Sequence, residues 1–533
     1  MSDHRTISDP FRAGLQSGWK VIDASTLVED RTIDADVAIV GTGAGGGIAA
    51  EILSQAGLAV VLIEEGPLAT SSDFHMRESE AYPQLYQESA ARKTKDRAIN
   101  ILQGRCVGGG TTVNWTSSFR TPPATLAHWA SEYGLTGFGE ADLAPWFERV
   151  EQRLSVTPWS VAPNQNNDVL RRGGEAIGIK IGSIRRNVKA CWNIGYCGLG
   201  CPTNAKQSML VTTIPAALER GATLLTRARG LAFQLGGARV NALACAALDP
   251  LGGSPTARRV TVRARTFIAA AGAIGTPALL LRSKLPDPDN VVGKRTFLHP
   301  TVVSAALMPE RVDGFAGAPQ VIYSDQFLRS AASGPIGYKL EVPPVHPVLA
   351  AITLPGHGAQ HAHWMRSLAH MQVVIALMRD GFHAESAGGA VTLRQDGTPV
   401  LDYRLNAYFW EGARRALLTM AEIQFAAGAR TVMPVHASAP SYGAWSEARK
   451  GLADLALAPL VAPVFSAHVM GGCPIGADAK RSAVDATGRY RHLENLYVLD
   501  GSLFPTSIGA NPQLSIYAIV AKLASGLAAA LRA

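Results

Sequence analysis

"DADVAIVGTGAGGGIAAEILSQAGLAVVLIEEGP", residues 34–67, holds an apolar run, a burst of glycine, a second apolar run and two acids. Val37 to Val40 are all apolar, as a buried parallel strand should be. The glycines fall as Gly41-x-Gly43-x-x-Gly46. In a strand–turn–helix unit the first allows a tight turn, the second lets the backbone approach a pyrophosphate, and the third lets the helix pack on the sheet. The pattern predicts a helix over 47–56 with its N-terminal N–H groups toward phosphates, then a strand over 58–63. Glu64 follows 23 residues after Gly41, where a carboxylate can accept hydrogen bonds from both ribose hydroxyls. The acid favours a 2′-hydroxyl over a 2′-phosphate, so FAD or NAD over NADP.

A second glycine-rich segment separates FAD from NAD. In "GRCVGGGTTVNWTSSFRTPP", residues 104–123, the glycines let a loop run flush against a flat ligand, while hydroxyls and Asn114 supply hydrogen bonds. An isoalloxazine ring, large and planar, needs such a cradle; NAD does not. Arg105, Gly109, Gly110, Thr111, Asn114 and Trp115 are the candidate contacts.

The chain has 533 residues, 47% hydrophobic and 17% charged, with a formal charge of +8. That length predicts two domains or one elaborated one. The basic excess is diluted and has no dense Lys/Arg block, so no nucleic-acid partner is expected. The first twenty residues have no apolar core and carry acids early, unlike a secretory signal. No 18-residue apolar run suggests a membrane span. The C-terminal "SIYAIVAKLASGLAAALRA" is interrupted at Lys522 and Ser525 and reads as an amphipathic closing helix. A cytoplasmic protein is expected, with room for peripheral membrane contact.

Segments of nucleotide-domain type recur along the chain. They predict an α/β protein with a Rossmann-like FAD-binding domain over 34–156, 196–294 and 462–533. A substrate domain of antiparallel sheet, 157–195 and 295–461, is inserted into it, and 1–33 form an N-terminal extension. Residues 124–156 and 406–430 read as helical. Alternating segments such as "GGAVTLRQDGTPVLDYRL" read as the antiparallel sheet.

Four motifs in order resemble the glucose–methanol–choline oxidoreductases, a family of flavoenzymes. They are the dinucleotide turn with Glu64, "GRCVGGGTTVNW", "AGAIGTPALLLRS", and the stretch from "SAHVMGGCPIG" through "LYVLDGSLFPTSIGANPQLS". "GAGGG", "GGGTTVNW" and "SAHVMGGC" are most similar to the long-chain alcohol oxidase branch. Two departures stand out. Ser283 is followed by Lys284 where the family usually has Gly, which we read as a local turn difference, and the family's Gly-Thr-Cys appears as Gly471-Gly472-Cys473. The resemblance implies FAD and oxidation of an alcohol to an aldehyde or ketone. Its catalytic histidine matches His468 and its partner matches Asn511. It also implies cofactor contacts from Asp500, Gly501, Pro512 and Gln513, Asp500 meeting the ribityl chain or pyrophosphate.

Alcohol oxidation by a flavin needs a base for the hydroxyl proton and a hydride acceptor at N5. A neutral imidazole suits the first task, and an amide can hold the alcohol oxygen without changing charge. The resemblance to the long-chain alcohol oxidase branch implies an apolar alcohol as substrate, with oxygen or an electron carrier as acceptor. Alternatives are a steroid 3-hydroxyl oxidase or dehydrogenase, and a lyase or photodecarboxylase on the same scaffold. Isomerisation of a steroid would need a carboxylate base over the substrate, and no candidate is assigned from the sequence.

"CWNIGYCGLGCP" spaces Cys191, Cys197 and Cys201 as C-x5-C-x3-C-P. The composition suits iron–sulfur ligands. It resembles the cysteine segment of bacterial flavin glucose dehydrogenases, which carry a cluster, and that of plant long-chain alcohol oxidases, for which none is implied. Plain thiols lead over a cluster, and no metal is assigned. "HGAQHAHW" reads as a solvated loop.

Overall fold

The computed structural model describes residues 7–328 and 334–532. Its first eight-stranded sheet runs in the order Lys20–Asp23, Thr223–Thr226, Val60–Ile63, Arg31–Val40, Pro255–Ala269, Arg239–Leu248, Ala228–Gly236, with Leu496–Val498 also paired to Pro255–Ala269. The first five strands are parallel. The last two turn back antiparallel. The local sequence explains the split. Val37–Val40, Val60–Ile63 and the end of Pro255–Ala269 are fully buried runs at the centre of the parallel part, as covered parallel strands must be. The earlier half of Pro255–Ala269 has exposed positions and pairs with the antiparallel hairpin.

The helix after the glycine turn is Ala44–Gln55, three residues earlier than expected at its start, because Gly45 to Gly47 are already helical. The C-terminal helix Gln513–Arg532 packs against it and against Glu140–Arg153. By length and composition this C-terminal helix could cross a membrane, but most of it is buried inside the fold.

A second eight-stranded sheet runs Ile99–Ile101, Val464–Ser466, Thr301–Leu307, Met371–Met378, Tyr338–Glu341, Ile322–Ser324, Gly182–Ser183, with Thr431–Pro434 also on Thr301–Leu307. Helix Ala407–Ala426 packs on it. A four-stranded sheet joins Pro399–Asp402, Gly389–Leu393, Lys294–Leu298 and Val469–Gly471.

Several boundaries differ from the sequence reading. Residues 1–33 are not merely an extension, since Lys20–Asp23 edges the nucleotide sheet. Ile99–Ile101 and Val464–Ser466, assigned by sequence to the FAD domain, belong to the second sheet. Residues 157–195 contain the helix Gln165–Ala176 and only two-residue strands. "HGAQHAHW" is not a loop but the body of helix Gly358–Arg366. Lys284 keeps the left-handed conformation, φ +49°, that a glycine would take without cost. The turn is therefore retained, and only its residue differs.

Candidate active site

One cavity of about 840 Å³ runs from the Gly41 turn, along 109–117, past His468 and Asn511, to the face of the second sheet. Its size is in the range that holds a cofactor or substrate. At the nucleotide end the backbones meet at close quarters. Gly41 sits at φ +104°, and a Cβ there would lie 2.2 Å from the carbonyl oxygen of Ala270. A Cβ at Gly46 would lie 1.9 Å from the carbonyl oxygen of Gly41, which is the helix–turn packing that residue was expected to allow. Gly43 has room, its nearest neighbour being the Cα of Gly109 at 3.9 Å.

Glu64 is buried, but most of its capacity is taken. Oε2 accepts from the N–H and hydroxyl of Thr42 (3.2 and 2.5 Å), and Oε1 from Gly66 N (2.9 Å). Each oxygen accepts two hydrogen bonds, so one position remains for a ribose hydroxyl, not the two expected. Burial raises its pKa, against the pull of those same bonds. Neighbouring Glu65 is gripped by Arg105 Nε and Arg229 Nη2, both at 3.0 Å. Burial alone would raise Glu65, but Arg229 and Arg105 outweigh it and hold the carboxyl below its ordinary value. Arg105, expected at the cofactor, thus spends its charge on Glu65 and on the carbonyl of Gly252 (2.5 Å).

The middle of the cavity is a tied loop. Thr111 Oγ1 donates to Gly108 O and accepts from Met209 N. Asn114 Nδ2 donates to Gln513 Oε1 (2.6 Å), and Gln513 Nε2 donates to Ser117 O (2.8 Å). Lys206, which the sequence reading missed, donates from a buried Nζ to the carbonyls of Thr112, Asn114 and Cys197, and burial brings its pKa down to about 8. Gly110 and Gly272 face open space, with nothing within 4 Å of an added Cβ. Trp115, Gly501 and Pro512 also line the cavity. Asp500 lines the cavity as well, and it is tied to the protein. Its oxygens are filled by Gly272 N, Thr276 Oγ1, Ser502 N and Ser502 Oγ, so it fixes the start of helix Gly272–Arg282 in the cavity wall.

The reacting end comes from two chain crossings. Lys294–Leu298 pairs with Val469–Gly471, and Thr301 pairs with Phe465. Both chains pass from the small sheet to the large one at the same level, and the residues between are thrown out of register. These are His299 and His468, whose Nδ1 atoms lie 3.0 Å apart. His299 is buried, and its Nε2 accepts from Gly509 N–H at 3.2 Å. Burial, then the charge of Lys339, pulls His468 down to about 4; burial and His468 itself push His299 well below its ordinary value. Both are neutral at pH 7. One proton serves the Nδ1···Nδ1 contact. Carried by His468, it leaves Nε2 of His468 free as a base. Carried by His299, it is the form that the Gly509 N–H favours.

Asn511 lies nearby, its Nδ2 donating to Glu341 Oε2 at 3.2 Å. Glu341, also unforeseen, accepts from Gln320 Nε2 (2.6 Å) as well. In "YKLEV" the charges Lys339 and Glu341 alternate with apolar residues, the pattern of a solvated strand face. Both are nevertheless buried, and nothing in the sequence marks that.

Cys191, Cys197 and Cys201 are half-buried free thiols around a second cavity of about 20 Å³. Cys197 Sγ accepts from Arg186 Nη2 at 3.6 Å, Cys191 Sγ from Asn193 N at 3.4 Å, and Cys201 Sγ pairs with Thr203 Oγ1 at 3.4 Å. Each thiol therefore has its own local partner. Among the described residues no three His, Cys, Asp or Glu side chains are grouped to hold a metal ion, so the iron–sulfur alternative finds no assembled ligand set.

Glycine turn, parallel sheet and elongated cavity define a dinucleotide-binding fold with a second sheet walling the cavity. Comparison with known proteins gives the family. Models described as GMC oxidoreductase match residues 82–301 and 384–520. A GMC-type oxidoreductase of Sinorhizobium fredii is 30% identical over 94% of this chain and 95% of its own. A long-chain-alcohol oxidase of Arabidopsis thaliana is 30% identical over 93% of this chain and 68% of its own. Among solved structures, pyridoxine 4-oxidase from "Mesorbium loti" covers 92% of this chain and 98% of its own at TM-score 0.65 and 19% identity. Formate oxidase covers 95% and 100% at TM-score 0.69 and 14% identity. The chain belongs to the GMC oxidoreductase family and is an FAD-dependent oxidoreductase. The cavity fits FAD: its glycines clear the backbone for the dinucleotide, Gly110 and Gly272 leave open walls, and 109–117 form a fixed loop along it.

Proposed function

We propose that the protein oxidises an apolar alcohol to an aldehyde or ketone, with His468 taking the hydroxyl proton and Asn511 holding the oxygen. One observation carries the reading. The same cavity that ends on His468 and Asn511 continues onto an apolar wall that includes Val303, Ala305, Val373, Ile375, Leu349 and Leu354. A polar reacting end and an apolar body describe an aliphatic alcohol. The long-chain-alcohol oxidase relatives point the same way.

FAD, when bound, supplies the hydride acceptor. Gly41, Gly43 and the free position of Glu64 would hold its dinucleotide, and residues 109–117 its ring. The protein's own part is proton handling and positioning. His468 accepts a proton at Nε2 in the form where its Nδ1–H donates to His299, and in that form His299 carries its own proton on Nε2 and gives up the bond from Gly509 N–H. His299 is buried, and the low pKa keeps His468 neutral over the whole neutral range. Asn511, whose amide donates to Glu341, lines the same cavity as the imidazole. Oxygen or an electron carrier takes the electrons onward.

A series of straight primary alcohols tests this. Burial of each added methylene contributes about 0.8 kcal/mol, so kcat/KM should rise about fourfold per carbon until the wall is filled. A flat or falling series would remove the apolar-alcohol assignment.

A further inference from the structure

Two buried acceptor atoms stand without partners where Asn511 meets Glu341. They are Asn511 Oδ1 and Glu341 Oε1. Their sister atoms are already joined, Asn511 Nδ2 donating to Glu341 Oε2. Leaving a buried polar atom unpaired costs about 1–3 kcal/mol, and here two lie on adjoining groups. One proton satisfies both. On Glu341 Oε1 it donates to Asn511 Oδ1, and the acid and amide close a ring of two hydrogen bonds.

We propose that Glu341 is held as a neutral carboxylic acid doubly bonded to Asn511, and that this pairing fixes the orientation of the Asn511 amide. Glu341 is then a positioning residue. The second N–H of Asn511 Nδ2 remains free to donate to the substrate oxygen. With both faces of the amide engaged, Asn511 cannot turn its oxygen toward that substrate.

The surroundings agree. Glu341 is fully buried in strand Tyr338–Glu341. Gln320 donates to Oε2 and is itself oriented by the Ser117 hydroxyl, which donates to Gln320 Oε1 at 2.7 Å. Of the titratable groups around it, Lys339 lies two residues away on the same strand and favours the carboxylate. Tyr323 is its cross-strand partner and is raised by burial and by nearby acids, Glu341 among them. Asp325 acts on Lys339. Lys339 sits over the rings of Phe119 and Tyr323, 3.2 and 4.2 Å from their centroids, so part of its charge is met by aromatic faces. Burial outweighs Lys339, and Glu341 is raised above its ordinary value.

The test rests on the role given to Asn511 above, and it uses two readouts so that the two ideas fail separately. Infrared difference spectra of the FAD-loaded protein at pH 7, parent against Glu341→Gln, should show a protonated-carboxyl C=O band in the parent that the variant lacks. Absence of that band overturns the proposal. In turnover, Glu341→Leu should lower kcat about 10–100-fold with flavin retained, the size expected of a misplaced reacting group. Glu341→Gln can rebuild both bonds as an amide and should recover most of that loss. A Gln variant as slow as the Leu variant overturns the proposal. A carboxyl band with full activity in Glu341→Leu would keep the neutral acid and overturn the part given to Asn511.

Discussion

The two ends of the cavity are built by different means. The nucleotide end is backbone against backbone: the Gly41 turn meets Ala270, and helix Ala44–Gln55 meets the turn itself. The reacting end is side chain against side chain. His299, His468, Glu341 and Asn511 arrive from four separate segments and meet tip to tip in two pairs, His299 with His468 and Glu341 with Asn511. Close backbone approach demands glycine at fixed spacing, so one end is written in a short local pattern. Side-chain convergence demands only that distant strands cross at the right level, which leaves no local trace.

This contrast can be attacked by mutation. The largest effect is expected at Gly41. Gly41→Val combines a left-handed φ with a clash against Ala270 O and should destabilise by more than about 4 kcal/mol. Loss of soluble, folded protein by circular dichroism checks it. Gly43→Val should behave differently. Its Cβ has room in the protein, so the variant should fold but lose bound flavin, since the added side chain fills the space for the dinucleotide. A folded Gly43→Val protein with full flavin absorbance would break the assignment of this end.

At the other end, flavin and fold should survive while rate falls. His299→Phe removes the partner of His468 Nδ1, and kcat/KM should drop about 10–100-fold with flavin content unchanged. Full activity would show that His468 needs no orienting neighbour. The acid limb of the parent's kcat/KM sharpens the same point. His468 must be neutral to accept a proton, and its pKa lies at about 4, so activity should hold as pH falls through 6.5 and fail only near 4. A limb at 6.5 would mean an exposed imidazole. The smallest effect lies away from both ends. Lys284→Gly relieves a left-handed lysine and should raise stability by up to about 1 kcal/mol, a few degrees or less in Tm.

Legibility follows the same division. The strand, turn, helix, strand and acid of 34–67 stand in the structure within a few residues of where their pattern put them, because each is dictated locally. His468 and Asn511 were found through a motif and do lie on one cavity, but the groups that orient them were not legible. His299 looked like one histidine among thirteen, since its meaning comes from pairing Lys294–Leu298 with Val469–Gly471. Lys339 and Glu341 carried the alternation of a wet strand, and only tertiary burial reverses that reading. Asp500 and Arg105 do line the cavity, and the protein partners they hold there were not legible. A sequence shows that a charge is near a ligand site, not whether a neighbouring backbone or acid claims it first.

The central claim is that His468 takes the substrate proton. Anaerobic mixing of the FAD-loaded protein with a long straight-chain primary alcohol, following loss of flavin absorbance, tests it most directly in parent and His468→Ala. The account predicts equal flavin content and a reduction rate lower by about 10²–10⁴-fold in the variant. Flavin reduction within a few-fold of the parent would contradict it.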